Sequence, residues 1–354
     1  MKNLFISILG FLVACAVPEK GNHISPKPDG IPLSHAVKFR MWEDTLEVTE
    51  PWRGATSPQV YPLTNPPTRV VVTSTTHLPF IEMLGMGDRL VGFPGTQYIS
   101  SGFFADRVDK GLITELGTAG GMNLELLIHL RPDVVIAYDM GNESASLDKL
   151  AESGIPVLYN ADYLETSALG RAEWIRFFGH LFQKDDLADS LFAVIEHNYD
   201  SLKALTANVA EQPTVFSGVM YGDAWFLPGG NSWAAGFYQD AGASYLWGSN
   251  ENTGSLELSF ESVMEKAGMA DYWVGVSSFH SLQELEGQDD RYGQFAAFQN
   301  RKVYNFDKRV SKGGGFDFFE SGYARPDRVL SDMIAIFHPE LLPAYTPYYF
   351  QPLP

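Results

Sequence analysis

The chain has 354 residues, 45% of them apolar and 19% charged, which excludes a disordered chain and allows one large domain or two ordinary ones. Its 43 Asp and Glu against 25 Lys and Arg give a formal charge of −18, and a duplex nucleic acid, which needs a basic footprint, is excluded as a partner. Aromatic residues make up 13%, enough for a core with some left over to stack on a ligand.

Met1-Lys2-Asn3 is a short basic start, and Leu4 to Val13 is an apolar run. A membrane span needs about 20 apolar residues, so this run reads as a secretory signal over 1–14. It ends in Leu12-Val13-Ala14-Cys15, and Cys15 is the only cysteine, so no disulfide forms within the chain. This ending resembles a bacterial lipobox. The resemblance implies cleavage before Cys15 and lipidation of its thiol, giving an exported protein tethered to a bacterial membrane and facing the periplasm or the cell exterior. A secretory signal with an incidental Cys is the alternative. The Pro- and Gly-rich stretch 16–36 reads as a flexible tether. Alternation over Val37 to Met41 and Leu46 to Thr49 reads as a β-hairpin packed against the first α/β lobe.

From Arg69 the pattern becomes strand, helix, strand. Arg69 to Ser74, Leu90 to Phe93, Asp133 to Tyr138 and Pro156 to Tyr159 read as strands, the first and third as buried parallel ones. Helices are expected over His77 to Met86, Leu124 to Leu130 behind the cap Asn123, Ser144 to Glu152, and Ala168 to Phe182. Lys184 to Asn208 is different: Leu187, Leu191, Val194, Ile195, Leu202 and Leu205 repeat at helical spacing, without internal Gly or Pro. A helix of that length is a rod of roughly 35 Å. The alternation then resumes with strands at Thr214 to Met220, Tyr272 to Val276 and Lys302 to Phe306. Helices fall at Ser232 to Asp240, Phe260 to Lys266, Tyr292 to Gln299 and Asp327 to Phe337. The expected fold is α/β, two doubly wound lobes joined by one long helix, with a hairpin extension. The divisions are 1–14 signal, 15–65 tether and extension, 66–183 first lobe, 184–209 joining helix and 210–354 second lobe. Ligands of such sheets bind beyond the carboxyl ends of the strands, here the cleft between lobes.

No phosphate-binding Gly-rich loop, nucleophile elbow or paired-His zinc motif occurs, so nothing argues for catalysis or a cofactor. Gly313-Gly314-Gly315 reads as a hinge-like loop.

Gly121-Met122-Asn123-Leu124-Glu125, then Arg131-Pro132-Asp133-Val134-Val135-Ile136, resembles the "NLE…L.PDLVI" signature of substrate-binding proteins of ABC importers. The likeness is to the class with a helical backbone between lobes, which serves vitamin B12, ferric siderophores and haem, and it runs over roughly residues 66–340. It implies no enzyme activity, a haem, iron-chelate or corrinoid ligand, and delivery to a membrane permease. It also implies one exposed Glu per lobe that docks on permease arginines: Glu125 by motif, and Glu261 by position in Ser259-Phe260-Glu261. Read on residues alone, each Glu is a helix N-terminal charge stabilising its dipole by about 0.3–1 kcal/mol.

Strand ends supply the candidate ligand contacts. These are His77, Tyr98 and Tyr138 in the first lobe, and Tyr221, Trp225, Phe226 and Trp233 early in the second. His280, Arg309 and Phe316 come later in the second. Tyr138 and the Trp225-Phe226 pair match aromatic positions of the B12-binding member, whereas Ala119 and Ser255 stand where that member has two more aromatics. One alternative is the same fold holding a bare metal ion through His77 and His280, or an oxyanion; another is an α/β enzyme. The rod helix implies only a small lobe rotation on binding.

Overall fold

The computed structural model describes residues 30–118, 121–141 and 144–354. The signal segment, Cys15 and Ala119 lie outside the described residues. Within them, no helix is long and apolar enough to cross a membrane. Two five-stranded sheets carry the architecture. The first runs in the order 157–159, 134–137, 70–72, 90–93, 114–115, with every neighbour parallel. Val70, Val71, Val72, Val135 and Ile136 are fully buried, because helices cover both faces of this sheet and unbroken apolar runs suit that setting. The second sheet runs 244–245, 214–216, 272–274, 303–305, 351–352, parallel except for the last strand.

In each lobe the strand order reverses at the first strand of the sheet. The reversal lies between 70–72 and 134–137 in the first lobe, and between 214–216 and 272–274 in the second. Connections leaving two adjacent strands in opposite directions open a crevice at their carboxyl ends. Tyr138 follows one such strand and the 275–280 loop follows another.

Phe39–Trp42 and Thr45–Val48 form the expected hairpin, and Gln59–Pro62 adds an unforeseen third antiparallel strand. Phe39, Met41, Leu46 and Val48 are buried, and the Phe39 ring lies 4.6 Å from Trp174. The chain leading into it is held by two glutamates. The backbone N–H groups of Ser34, His35 and Ala36 donate to Glu173 at 2.7–2.8 Å, and those of Val37 and Lys38 donate to Glu165 at 3.0 and 2.9 Å. The flexible tether expected through residue 36 therefore stops short of Ser34. The same Glu173 interrupts the single helix expected over 168–182, which is two helices, Ala168–Ala172 and Trp174–Leu181.

The joining helix runs Asp185–Thr206. Its buried stripe is Ala188, Phe192, Ile195 and Tyr199, while Leu187, Val194 and Leu205 are exposed, so its inward face is not the all-aliphatic one the sequence suggests. A Cβ on Gly179 would lie 2.4 Å from that of Ala188, so the 174–181 helix meets the rod at a glycine. The near half of the rod is tied to the first lobe by Arg176–Asp189 at 2.8 Å. The far half is tied to the second, where the Tyr199 hydroxyl donates to Asp240 at 2.7 Å.

Two helices of the second lobe were not foreseen, Leu282–Gln288 and Asp317–Ala324, and the strand expected over Thr214 to Met220 is broken into 214–216 and 219–221, the latter pairing with 224–228 and 255–258 in a separate antiparallel sheet. The 292–299 helix is instead a 3-10 turn at Asp290–Gln294 followed by one turn of α-helix at Ala296–Gln299.

Candidate functional site between the lobes

The lobes meet at two edges. At one, the Gly313-Gly314-Gly315 loop lies on the backbone of Gln97 and Tyr98. The Gly313 N–H donates to the Gln97 carbonyl at 3.0 Å and the Ser311 hydroxyl to the same oxygen at 2.9 Å. A Cβ on Gly315 would sit 2.2 Å from the Tyr98 carbonyl oxygen, so only glycine allows this approach. The expected hinge is thus a seam. Beside it the Ser100 and Ser101 N–H groups donate to Glu320 at 2.7 and 2.8 Å. These residues and Glu82, Arg309, Asp317, Arg325 and Arg328 surround a cavity of about 300 Å³.

At the other edge Arg171 of the first lobe sits against a pair of second-lobe rings, Trp233 and Tyr323, 4.6 Å from each ring centre, the two rings being 5.1 Å apart. Its guanidinium donates to the Glu165 and Tyr163 carbonyls at 3.0 Å, which fixes it for stacking. Trp233 is buried in this cluster, and joins lobes rather than offering a face to a ligand.

His77 also departs from expectation. It is fully buried, its ring 6.0 Å from Phe178, on a turn that packs against the 317–324 helix of the second lobe. Burial pushes its pKa down to about 3, so the imidazole is neutral. It meets no open cleft and no partner in His280. Among the described residues, no group of three or more His, Cys, Asp or Glu is placed to hold a metal ion. The bare-ion alternative loses its first-lobe donor.

Trp225 is the third correction. It stands on the 224–228 strand, where side chains alternate in and out. Trp225 and Leu227 point in; Phe226 between them is 39% exposed. The Trp225 indole packs on Phe216, Trp273, Tyr292 and Phe295, and its N–H donates to the Ser217 carbonyl at 3.0 Å. Tyr221, opposite Ala224 in the register, shares the outer face with Phe226, 6.5 Å from it ring to ring. Two adjacent aromatics therefore have opposite roles. Trp225→Ala is expected to cost about 3–5 kcal/mol of stability through the cavity and the unpaired carbonyl it leaves. Phe226→Ala should leave the denaturation midpoint nearly unchanged and lower ligand affinity instead. Urea melts and ligand titrations of the two variants check this; equal destabilisation by both would contradict it.

The remaining candidates stand at the strand ends. Tyr138 is half-buried and meets Tyr163 edge-on at 5.0 Å; Met140 beside it is exposed. Tyr98 is nearly half exposed over the seam. Phe316 follows Gly315 and lies 6.5 Å from the His280 ring and 5.2 Å from Phe306. Arg309 is paired with Asp317 at 2.7 Å and stacks on Tyr348, so its charge is already compensated. Sequence reasoning missed Tyr163, Phe306, Phe319 and Asp307. Tyr163 and Asp307 lie within a few residues of the strands 157–159 and 303–305, the signal that marks Tyr138.

Glu320 gives the seam a pH dependence. Burial pushes its carboxyl up to about 7 against two donated N–H groups, with Asp317 and Glu82 raising it further. Below about pH 4.5 it is protonated in folded and unfolded chains alike; as pH rises towards about 7 the unfolded chain alone gains from ionisation. Stability from this group is present in acid and lost on going to neutral pH, by on the order of 3 kcal/mol at most. Glu320→Gln should remove that component, so the wild-type advantage over the variant shrinks from pH 4.5 to 7.5. Parallel stability–pH curves would contradict the assignment.

A match to the family described as Periplasmic binding protein runs over residues 70–310, which takes in the first sheet, the rod and all of the second sheet but its last strand. The chain belongs to the periplasmic binding protein family. This is a family of binding proteins rather than enzymes. The periplasmic binding protein is 27% identical over 296 residues to an uncharacterized lipoprotein of Methanocaldococcus jannaschii, covering 80% of this chain and 68% of that one. Its fold is similar to that of a periplasmic haem-binding protein from Pseudomonas aeruginosa, with a TM-score of 0.62 at 16% identity over 81% of this chain and 98% of that one. It is also similar to the periplasmic vitamin B12-binding protein of Vibrio cholerae, with a TM-score of 0.56 at 16% identity over 77% and 98% of the chains.

Proposed function

We propose that this periplasmic binding protein is the lipid-anchored capture subunit of an ABC importer, taking an iron complex, haem or a corrinoid into the cleft between lobes. One observation carries this reading. Each sheet has a strand reversal, which opens a crevice at the carboxyl ends of its strands, and aromatic side chains stand near strand ends in both lobes. Tyr138 and Tyr163 stand in the first lobe, Phe316, Phe306 and Phe226 in the second. A flat chelate binds between such walls by stacking, with few polar anchors. The likeness to haem- and B12-binding structures supports the ligand class, and the Methanocaldococcus relative, named a lipoprotein, supports the anchor at Cys15.

Delivery uses the two glutamates. Glu125 is exposed on the first turn of the Leu124–Leu130 helix, and among the described residues it makes no ion pair. Glu261 is exposed on the first turn of Phe260–Ala267, 3.5 Å from Arg291, whose guanidinium already forks onto Asp289. Glu261 therefore gives up a weak contact to a permease arginine. The test of the capture role is a thermal-shift screen against haem, cobalamin, cobinamide and ferric siderophores. A true ligand at a hundred times its Kd adds about 2.7 kcal/mol to stability. A panel without any shift contradicts the reading.

A further inference from the structure

The cavity of about 300 Å³ at the seam has walls from both lobes. Arg309, Arg325, Arg328 and Tyr348 line it from the second lobe, with Asp317 and Glu320 of the 317–324 helix. Pro79, Met83, Ser101 and Gly102 close it from the first lobe, with Glu82 at the edge. Tyr138, Tyr163, Phe226, Phe306 and Phe316 take no part in it, so it is separate from the aromatic walls. It lies at the small end of ligand pockets, which run over about 300–1,000 Å³, and suits a small molecule rather than a macrocycle.

Each carboxylate on the wall is already engaged by the protein. Glu320 accepts the Ser100 and Ser101 N–H groups, and Glu82 accepts the Ser101 hydroxyl at 2.6 Å. Asp317 accepts the Arg309 Nε–H at 2.7 Å and the Ser321 hydroxyl at 2.6 Å. The guanidinium groups are not occupied to the same extent. Each carries five N–H donors and no acceptor. Arg309 uses only its Nε on Asp317, and Arg325 uses Nε and Nη2 on Asp327 at 2.8 and 2.7 Å. Arg328 is half-buried and, among the described residues, its side chain makes no hydrogen bond or ion pair. Pairing therefore cancels two of the three charges and leaves most of the donors unused. Two of the groups are also held in place: the Tyr348 ring lies 4.3 Å from the Arg309 guanidinium and 4.9 Å from that of Arg328, and the Tyr348 N–H is tied to Asp332 at 2.7 Å. Planar guanidinium forks with free edges match the oxygens of a carboxylate or an oxyanion.

We infer that this inter-lobe cavity binds a small acceptor-rich anion as a free molecule, a di- or tricarboxylate or a tetrahedral oxyanion, on Arg309, Arg325 and Arg328. The first lobe supplies the closing wall, so the site is complete only with the lobes together. A ligand that binds one arrangement of the lobes better shifts the population towards it, and the anion therefore favours the shut seam. The inference goes beyond the capture of a chelate or corrinoid and does not depend on it.

The test uses the whole protein at neutral pH, with citrate, malonate, phosphate and sulfate as probes and acetate at matched ionic strength as the control. Titration calorimetry is run at low-millimolar anion, below the range in which such salts stabilise proteins in general. At least one probe should bind saturably and raise the thermal midpoint, and acetate should do neither. Arg328→Gln strands no carboxylate. It should leave the midpoint of the free protein unchanged and weaken the anion at least about tenfold, on the scale of a hydrogen bond to a charged group. Gly102→Asp carries the test to the other lobe. A Cβ at Gly102 meets nothing within 4 Å, and an acid in the first turn suits the Gly102–Asp109 helix, yet the variant sets a negative charge on the wall. It should weaken the anion by a similar factor in a fully folded protein. Arg53→Gln removes an exposed cation outside the cavity wall and should change nothing. No saturable binding, equal binding of acetate, or wild-type affinity in either wall variant overturns the inference. So does a result in which the wall variants weaken haem, corrinoid or siderophore and leave the free anions untouched. The cavity then holds an arm of the cargo, and the capture function stands.

Discussion

Reversing both proposed docking charges, Glu125→Lys together with Glu261→Lys, should abolish uptake of ligand in cells while the purified protein binds its ligand as tightly as before. Both residues are exposed, at helix starts on separate lobes, and neither belongs to a ligand wall. A like-charge contact at an interface costs several kcal/mol, and two such contacts face two arginines if the lobes sit on a two-fold permease. Each single reversal should give a partial loss, larger for Glu125, because Glu261 is already shared with Arg291. Losing the N-terminal dipole interaction accounts for about 0.3–1 kcal/mol of stability per site, too little to deplete the folded protein. Transport assays in a strain lacking the wild-type gene, with binding measured in parallel, decide the matter. Full uptake by the double variant would show that these glutamates serve their helices alone.

The second large effect is expected at the seam. Gly315→Ala places a methyl 2.2 Å from the Tyr98 carbonyl oxygen, and Gly313→Ala places one 2.7 Å from the Gln97 carbonyl oxygen. At Gly315 the obstacle is backbone alone, so no rotamer relieves the clash and the loop must back away. Its hydrogen bonds to Gln97 go with it, and the Glu320 contacts beside it are strained. Overpacking of this kind costs about 1–3 kcal/mol, or roughly 5–150-fold in the affinity of a ligand that needs both walls in place. Gly314→Ala is the control. Gly314 has φ 88° with nothing within 4 Å of its Cβ, so the variant carries backbone strain without pushing the lobes apart. Solution scattering should show free and loaded wild type nearly superimposable, because the rod is tied to both lobes, and Gly315→Ala alone expanded. Equal affinities for Gly314→Ala and Gly315→Ala would contradict the seam.

The legible part of this fold is the part built by local pattern. The runs Arg69 to Ser74 and Asp133 to Tyr138 sit in a sheet with both faces covered, so they carry an apolar signature that nothing else imitates. The rod was legible from its freedom from Gly and Pro, although its inward face was not: alanine at 188 and tyrosine at 199 pack because Gly179 lets one neighbour come close and Asp240 receives the tyrosine hydroxyl. Both reasons lie far away in sequence. The site divided the same way. Proximity to a strand end selected Tyr138, Phe316 and His280, which the structure leaves partly exposed, but also His77, Trp225 and Trp233, which it buries. What separates the two groups is which way a side chain turns from its strand or what the opposite lobe brings to it. Trp225 turns inward through a register fixed by the 255–258 strand, and Trp233 is covered by Arg171 from the other lobe. Glu320 was invisible for the same reason, being buried against Ser100 and Ser101 of the other lobe.

Amide hydrogen exchange of the protein, free and saturated with the tightest-binding compound of the haem, corrinoid and siderophore panel, tests cleft capture most directly. The account predicts slowed exchange at strand ends of both lobes at once, around 138–141 and 163 on one side and 276–280 and 306–316 on the other, with the rod unchanged. Protection confined to one lobe, or to a surface away from the junction, would contradict it.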